Sequence, residues 1–146
     1  MRGRTFKHSK KRDVILALLR STKEHPTAGW VYSRLKESIP GISLGTVYRN
    51  ITVLRRQGLV MPVTVVNGEE HFDALAEPHP HIVCLRCGAV SDISPENAAA
   101  LESCVASSGI GALGIDFKRT LFYGRCPRCA PESPVTPEPQ TAPAGG

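Results

Sequence analysis

The sequence predicts an α+β protein in two unlike halves: a winged helix-turn-helix unit, then a small α/β unit held together through cysteines. Three observations predict it. Three amphipathic helical segments run into an Asn-Gly hairpin; two Cys-x-x-Cys pairs stand far apart in the second half; and charge is strongly segregated between the halves. At 146 residues the chain fits one ordinary domain or two small ones sharing a core.

Residues 1–12 hold six Lys/Arg and no acid, a basic arm. From Ser9 the pattern turns helical, with Val14, Ile15, Leu18 and Leu19 on one apolar stripe. Thr27 can cap a second helix with Val31 and Leu35 inward, ending before Pro40-Gly41. Ser43 caps a third, whose buried face is Val47, Ile51 and Leu54 and whose stop is Gly58. The runs Leu59–Val66 and Glu69–Asp73 flank Asn67-Gly68, two residues that tolerate positive φ and so mark a tight hairpin. Three helices and a hairpin over residues 13–75 make a winged helix; a small α+β domain of no particular function is the bland alternative.

Beyond Asp73, strand-like runs at Ile82–Cys84, Ala89–Ile93 and Thr120–Tyr123 flank an Ala-rich helix around Glu96–Ser107. This second unit, residues 78–130, is too short to bury a core alone and needs a metal, a partner subunit or both. The tail, 131–146, is dominated by Pro, Ala, Thr, Glu and Gly and is expected to be disordered.

Residues 1–60 carry a net +10 and residues 61–146 a net −5. Such segregation suggests that the first half meets a polyanion, nucleic acid before an anionic membrane. In a helix-turn-helix the second helix presents its outward side chains to the major groove. Those outward residues include Ser43, Gly45, Thr46, Tyr48, Arg49, Asn50 and Thr52. Tyr48 suits a thymine methyl and Arg49 a guanine or phosphate, while Arg55 and Arg56 suit phosphates. No apolar run approaches a membrane span and no signal-peptide core leads the chain, so a cytoplasmic location is expected.

Cys84-Leu-Arg-Cys87 and Cys126-Pro-Arg-Cys129 each offer two thiolates at a spacing that fills two corners of a tetrahedron. Together they predict a structural zinc with no open position; disulfides and a thioredoxin-type motif are the alternatives. The fifth cysteine, Cys104, reads as a small helical hydrophobe. A second cluster lies in His71-Phe-Asp73-Ala-Leu-Ala-Glu77-Pro-His79-Pro-His81, followed by Asp92. His79 and His81 alternate in an extended stretch and can face one side. A nitrogen and oxygen set without sulfur suits iron(II), manganese(II) or zinc.

The strings His25-Pro-Thr-Ala28, Ile42-Ser-Leu-Gly-Thr-Val-Tyr-Arg-Asn50, Gly58-Leu59, Phe72-Asp73, Pro78-His-Pro-His81, Cys84-Leu-Arg-Cys-Gly88 and Tyr123-Gly-Arg-Cys-Pro-Arg-Cys129 resemble the ferric-uptake-regulator family of bacterial metal-dependent repressors, from about residue 10 to 130. The resemblance implies a homodimer on double-stranded DNA with a palindromic operator. It also implies a regulatory metal at the hinge, with His25 as the ligand from the DNA-binding half and Asp73, His79, His81 and Asp92 from the other. Asp at both carboxylate positions resembles the peroxide-sensing branch, in which bound iron would lead to oxidation of His25 or His79. Zinc-sensing members often place Cys where Asp73 stands, and iron-sensing members more often carry Glu and an extra His in the last strand. An iron- or zinc-responsive repressor without peroxide chemistry stays open as an alternative. From another class, so does a metalloenzyme using the His/Asp site, and a zinc-stapled adaptor explains only the cysteines.

Overall fold

The computed structural model describes residues 7–75 and 77–130. Half of the basic arm (residues 1–6) and the whole Pro-rich tail lie outside the described residues.

Helix α1 (Lys10–Arg20) begins inside the expected arm, because the Ser9 hydroxyl accepts from the Arg12 amide and caps it. Its buried row is Ile15 and Leu19, with Leu16 and Leu18 packed alongside; Val14, expected on the stripe, is 42% exposed. One residue is about 100° of helix rotation, enough to turn Val14 off the core-facing row. Helix α2 (Ala28–Leu35) is capped by Thr27, whose Oγ1 accepts from Trp30 N. It stops at Leu35, short of Pro40, where a turn takes over. Helix α3 (Leu44–Arg56) is capped by Ser43, buries Val47, Ile51 and Leu54, and is followed at Gly58 by a φ of +72°.

Strands β1 (Met61–Val66) and β2 (Glu69–Asp73) pair antiparallel about Asn67 (φ +51°) and Gly68 (φ +80°). A register shift between Pro62 and Thr64 bends β1. On its other edge β2 holds the loop before α2: Phe72 N donates to Pro26 O at 3.1 Å, and Thr27 bridges His71. Phe72 thereby enters the helical core with Ile15, Val31, Ile51, Leu54 and Val60.

The second unit is a three-stranded sheet of order β4-β3-β5, with β3 (His81–Cys84) central, β4 (Val90–Asp92) antiparallel and β5 (Leu121–Gly124) parallel to it. Between β4 and β5 come α4 (Pro95–Ser107) and two short 3-10 turns. The only apolar or cysteine side chains buried here among the described residues are Val83, Cys84, Val90, Phe117 and Cys126. Two of these five are cysteines of the predicted staple, so the sheet is short of apolar cover.

Candidate metal centres and nucleic-acid interface

Register builds the nitrogen and oxygen cluster. His81 of β3 stands directly opposite Asp92 of β4, and His79 precedes His81 by two residues, so all three can meet on one side. Asp73 ends β2, and His25 arrives from the loop tied to the far edge of the same strand. Ligand atoms of His25, Asp73, His79 and His81 all lie within 4.8 Å of one another. Asp92 Oδ1 is 2.9 Å from His25 Nε2, 2.7 Å from His79 Nε2 and 3.4 Å from His81 Nε2. Asp73 Oδ2 is 3.4 Å from His79 Nε2 and 3.6 Å from His81 Nε2. Atoms sharing a cation through bonds of about 2.1 Å sit about 3 Å apart when adjacent, which these spacings match.

The resemblance placed His25 alone on the DNA-binding side. The structure differs: Asp73 is the last residue of the wing, paired with Met61, so the winged helix carries both His25 and Asp73. The sheet supplies His79, His81 and Asp92. The winged-helix pair is also the more enclosed, with His25 3% and Asp73 8% exposed.

Backbone contacts aim these donors. Asp73 Oδ1 accepts from Leu75 N at 2.8 Å, leaving Oδ2 for the cluster. The Nδ1–H of His79 donates to Glu77 O at 2.8 Å, which leaves Nε2 as the ring's lone-pair nitrogen. His25 Nε2 approaches Asp92 without hydrogen-bond alignment; His25 Nδ1 and Nε2 and His81 Nε2 are buried with no hydrogen-bond partner. Buried nitrogens left unsatisfied are costly, and a cation among them would satisfy the two Nε2 atoms. The residues therefore fit a metal of borderline or hard character.

Burial, aided by the neighbouring imidazoles, lowers the His25 pKa and outweighs the attraction of Asp92 and Asp73, so the ring is held neutral. Burial also opposes ionisation of Asp73, but the facing His81 imidazole, the Leu75 amide and the nearby His25 and His79 take its pKa below the ordinary value. At His79 burial is overcome by the Glu77 carbonyl and Asp92, and the pKa rises. A cleft of about 270 Å³ opens onto Asp73, His79 and His81 between the wing and the sheet. A smaller cavity of about 80 Å³ touches His25, Asp73 and Asp92.

The four sulfurs of Cys84, Cys87, Cys126 and Cys129 lie within 4.8 Å of one another, with Cys87 and Cys126 at 3.7 Å. That is far from a disulfide bond and close to the edge of about 3.8 Å in a tetrahedron of 2.3 Å zinc–sulfur bonds. Both pairs sit on tight turns: Gly88 N donates to Cys84 O, and Cys129 N to Cys126 O. Parallel pairing of Cys84 with Gly124 brings the two turns together. Backbone amides of Cys126, Cys87 and Arg86 pull the Cys84 thiol down to about 6, while burial and the neighbouring sulfurs push Cys129 up to about 12. Cys104 is exposed on α4, not the buried hydrophobe expected; α4 has no buried residue among which it could pack.

On α3 the outward face holds Ser43, Tyr48 (43% exposed), Arg49, Arg55 and Arg56, with Thr46 and Asn50 half-buried. The Ser43 hydroxyl also caps the helix by accepting from Thr46 N at 3.2 Å, Arg49 donates to Thr46 Oγ1 at 3.1 Å, and Asn50 donates to Thr46 O at 2.9 Å. Arg55 pairs with Glu70 of the wing at 3.2 Å. Sequence reasoning missed that pair, as well as the Leu75 amide and the role of β2 as the edge that holds the His25 loop. Only the Thr27 cap hinted at where that loop ends.

A winged helix joined through a cluster of nitrogen and oxygen donors able to hold a metal to a four-cysteine sheet fits a metal-responsive DNA-binding regulator. The pattern described as the Ferric uptake regulator family matches residues 4–115, and the chain belongs to that family. It is accordingly a metal-responsive transcriptional repressor of a dimeric class, and not an enzyme. The Peroxide operon regulator of Bacillus subtilis (strain 168) is 31% identical over 119 residues, 82% of this chain and 81% of that protein. The Campylobacter jejuni peroxide stress regulator shares the fold with a TM-score of 0.63 at 31% identity, covering 82% of this chain and 88% of that one. A zinc-bound manganese uptake regulator does so with a TM-score of 0.64 at 25% identity, over 83% and 91%. Among the described residues no helix is long and apolar enough to cross a membrane.

Proposed function

We propose that this repressor responds to peroxide through iron(II) held by His25, Asp73, His79, His81 and Asp92, with manganese(II) as a non-reactive occupant. Zinc on Cys84, Cys87, Cys126 and Cys129 holds the sheet. The observation that carries the reading is the convergence of three imidazoles and two carboxylates, without sulfur, from both sides of the segment between Asp73 and His79. Relatives whose names specify peroxide support the choice of signal.

The chain's residues account for a switch. His25 and Asp73 move with the winged helix, and His79, His81 and Asp92 with the sheet. A cation that needs both sets binds the closed arrangement better and shifts the population toward it. Iron(II), if bound, would supply a redox-active centre at which the O–O bond of peroxide can break. In the net reaction one peroxide oxygen would be inserted into a ring C–H of His25 or His79 and the other would leave as water, the imidazole supplying the two electrons, and the altered ring would ligate poorly. α3 reads a palindromic operator through Tyr48 and Arg49, with Ser43, Thr46, Asn50, Arg55 and Arg56 around them. The second subunit docks on the exposed apolar residues of α4 (Leu101), of the 3-10 turn and loop that follow it (Ile110, Leu113 and Ile115) and of β5 (Tyr123).

The test is anaerobic operator binding with iron(II) and with manganese(II), before and after low peroxide, followed by mass spectrometry of the His25 and His79 peptides. Release with iron alone and an added oxygen on either histidine is expected. Release with neither metal would leave a metal-only repressor.

A further inference from the structure

His71 is half-buried on β2, outside the cluster of ligands. Its Nδ1 lies 2.6 Å from the carbonyl oxygen of His25, 46 residues earlier in the chain. A carbonyl only accepts, so the ring is the donor and Nδ1 carries the proton. The residue it holds needs holding: His25 has φ +49°, one of two non-glycine residues with positive φ among the described residues. The other, Asn67, is at a hairpin turn and of a type that tolerates this conformation. His25 is not at a hairpin turn; histidine enters this region more readily than most residues, but the conformation is still uncommon, and its ring is 3% exposed among the cluster's donors.

Two backbone contacts, Phe72 N to Pro26 O and the Thr27–His71 bridge, fix the chain just after His25. Neither touches the His25 peptide itself. The His71 side chain is the contact that does, and it fixes the carbonyl whose orientation accompanies the left-handed turn.

We propose that His71 is a positioning residue: through its Nδ1–H it locks the His25 peptide in the left-handed conformation and so presents the His25 ring, together with Asp73 two residues along the same strand, as a preformed half-site on the winged helix. The proposal rests on the assignment of His25 as a regulatory-metal ligand. An outer residue that orients a metal ligand is worth about 10- to 100-fold in affinity.

The test uses the full-length, zinc-loaded protein and manganese(II) alone, with affinity read by calorimetry. His71→Phe keeps a planar ring and removes the donor. His71→Asn places an amide nitrogen near the Nδ1 position and should rescue. We expect His71→Phe to weaken manganese binding by about 10-fold and His71→Asn by less than about 3-fold, with zinc content unchanged. In a His25→Ala background His71→Phe should cost nothing further, because its effect passes through His25. An unchanged affinity in His71→Phe, or an equal loss with and without His25, would overturn the proposal. If His25→Ala binds manganese as the parent does, the ligand assignment fails instead. Should His71→Phe not fold, nitrogen NMR of the unmodified metal-free protein decides: an Nδ1–H tautomer at His71 is expected, and an Nε2–H tautomer refutes the latch.

Discussion

The two most instructive side chains are His25 and His79, which share one carboxylate and are pushed in opposite directions. Both rings approach Asp92 Oδ1, at 2.9 and 2.7 Å. His25 lies deeper, so burial wins and its pKa falls; His79 is more open, is anchored by Glu77 O, and its pKa rises. NMR titration of the metal-free protein should therefore give midpoints on opposite sides of 6.5, with His25 below and His79 above. The stability consequences also oppose. The His25 contribution is fully present above pH 6.5 and is lost as pH falls from there through the lowered folded value. The His79 contribution is fully present below 6.5 and is lost as pH rises through its raised folded value. A ligating His79 must shed its proton, so manganese affinity should climb with pH through the range just above 6.5. A flat profile there would show that His79 does not ligate. Asp73→Asn keeps the side-chain oxygen that Leu75 N can bond but removes the charge facing His79 and His81. It should lower the His79 pKa and reduce manganese affinity while leaving the wing folded.

At the scale of elements, the wing and the first cysteine turn are in contact. A Cβ on Gly88 would lie 2.9 Å from Val66 Cγ1 and 3.6 Å from the Asn67 side chain, so the hairpin tip rests on the turn that carries Cys84 and Cys87. Gly68 offers a matched control: its φ is +80° against +73° at Gly88, but nothing lies within 4 Å of its Cβ position. Alanine at either site incurs the left-handed penalty of about 1–2 kcal/mol, and only Gly88→Ala adds a clash. Denaturation midpoints should fall further for Gly88→Ala than for Gly68→Ala; equal shifts would mean that the tip does not bear on the turn. Local signals made most of these elements legible. Asn67-Gly68 set the hairpin, Ser43 and Thr27 set caps, and the apolar period of α3 set Val47, Ile51 and Leu54. What the sequence hid is pairing over distance. Parallel pairing of β3 with β5 joins residues forty positions apart, and nothing local specifies it. The partnership of β2 with the His25 loop was hidden for the same reason; the hairpin run Glu69–Asp73 already put Asp73 in the wing, and only the family resemblance grouped it with the other half. Val14 and Cys104 were misjudged because a short helical pattern does not say how wide the packed face is.

For the α3 face, Tyr48→Ala and Arg49→Ala separate reading of DNA from response to metal. Neither side chain touches the core, and Arg49 makes only a bond to Thr46 within its own helix. Each should weaken operator binding by about 1–3 kcal/mol if it meets a base edge, with manganese affinity unchanged. Arg55 differs, because its pairing with Glu70 must be loosened before it can meet a phosphate. Such a surface pair contributes about 0–1 kcal/mol, so Glu70→Gln should strengthen DNA binding slightly and lower its specificity little.

Across the whole molecule the two halves depend on different sources of stability, and this predicts unequal responses to metal loss. The winged helix closes on a continuous cluster from Ile15 to Ala74, with twelve buried residues. The second unit has five buried apolar or cysteine side chains among the described residues, and Cys84 and Cys126 are two of them. With zinc on the four sulfurs, as proposed above, its binding free energy would be folding free energy in so small a unit. Cys126→Ser removes one sulfur from the tetrahedron and leaves three thiols crowded together, with Cys129 already resisting ionisation. The sheet should then unfold or fail to pair, taking the dimer with it, while the helical signal of the winged helix survives in circular dichroism. His25→Ala makes the reciprocal change. It should abolish manganese-dependent DNA binding in a protein that keeps its zinc and remains dimeric by light scattering. The winged helix of the Cys126→Ser protein still carries the basic charge, so it should retain weak, strongly salt-dependent DNA binding as a monomer. A dimeric, operator-binding Cys126→Ser protein with full zinc content would mean that the four-sulfur cluster is not what holds the second half together.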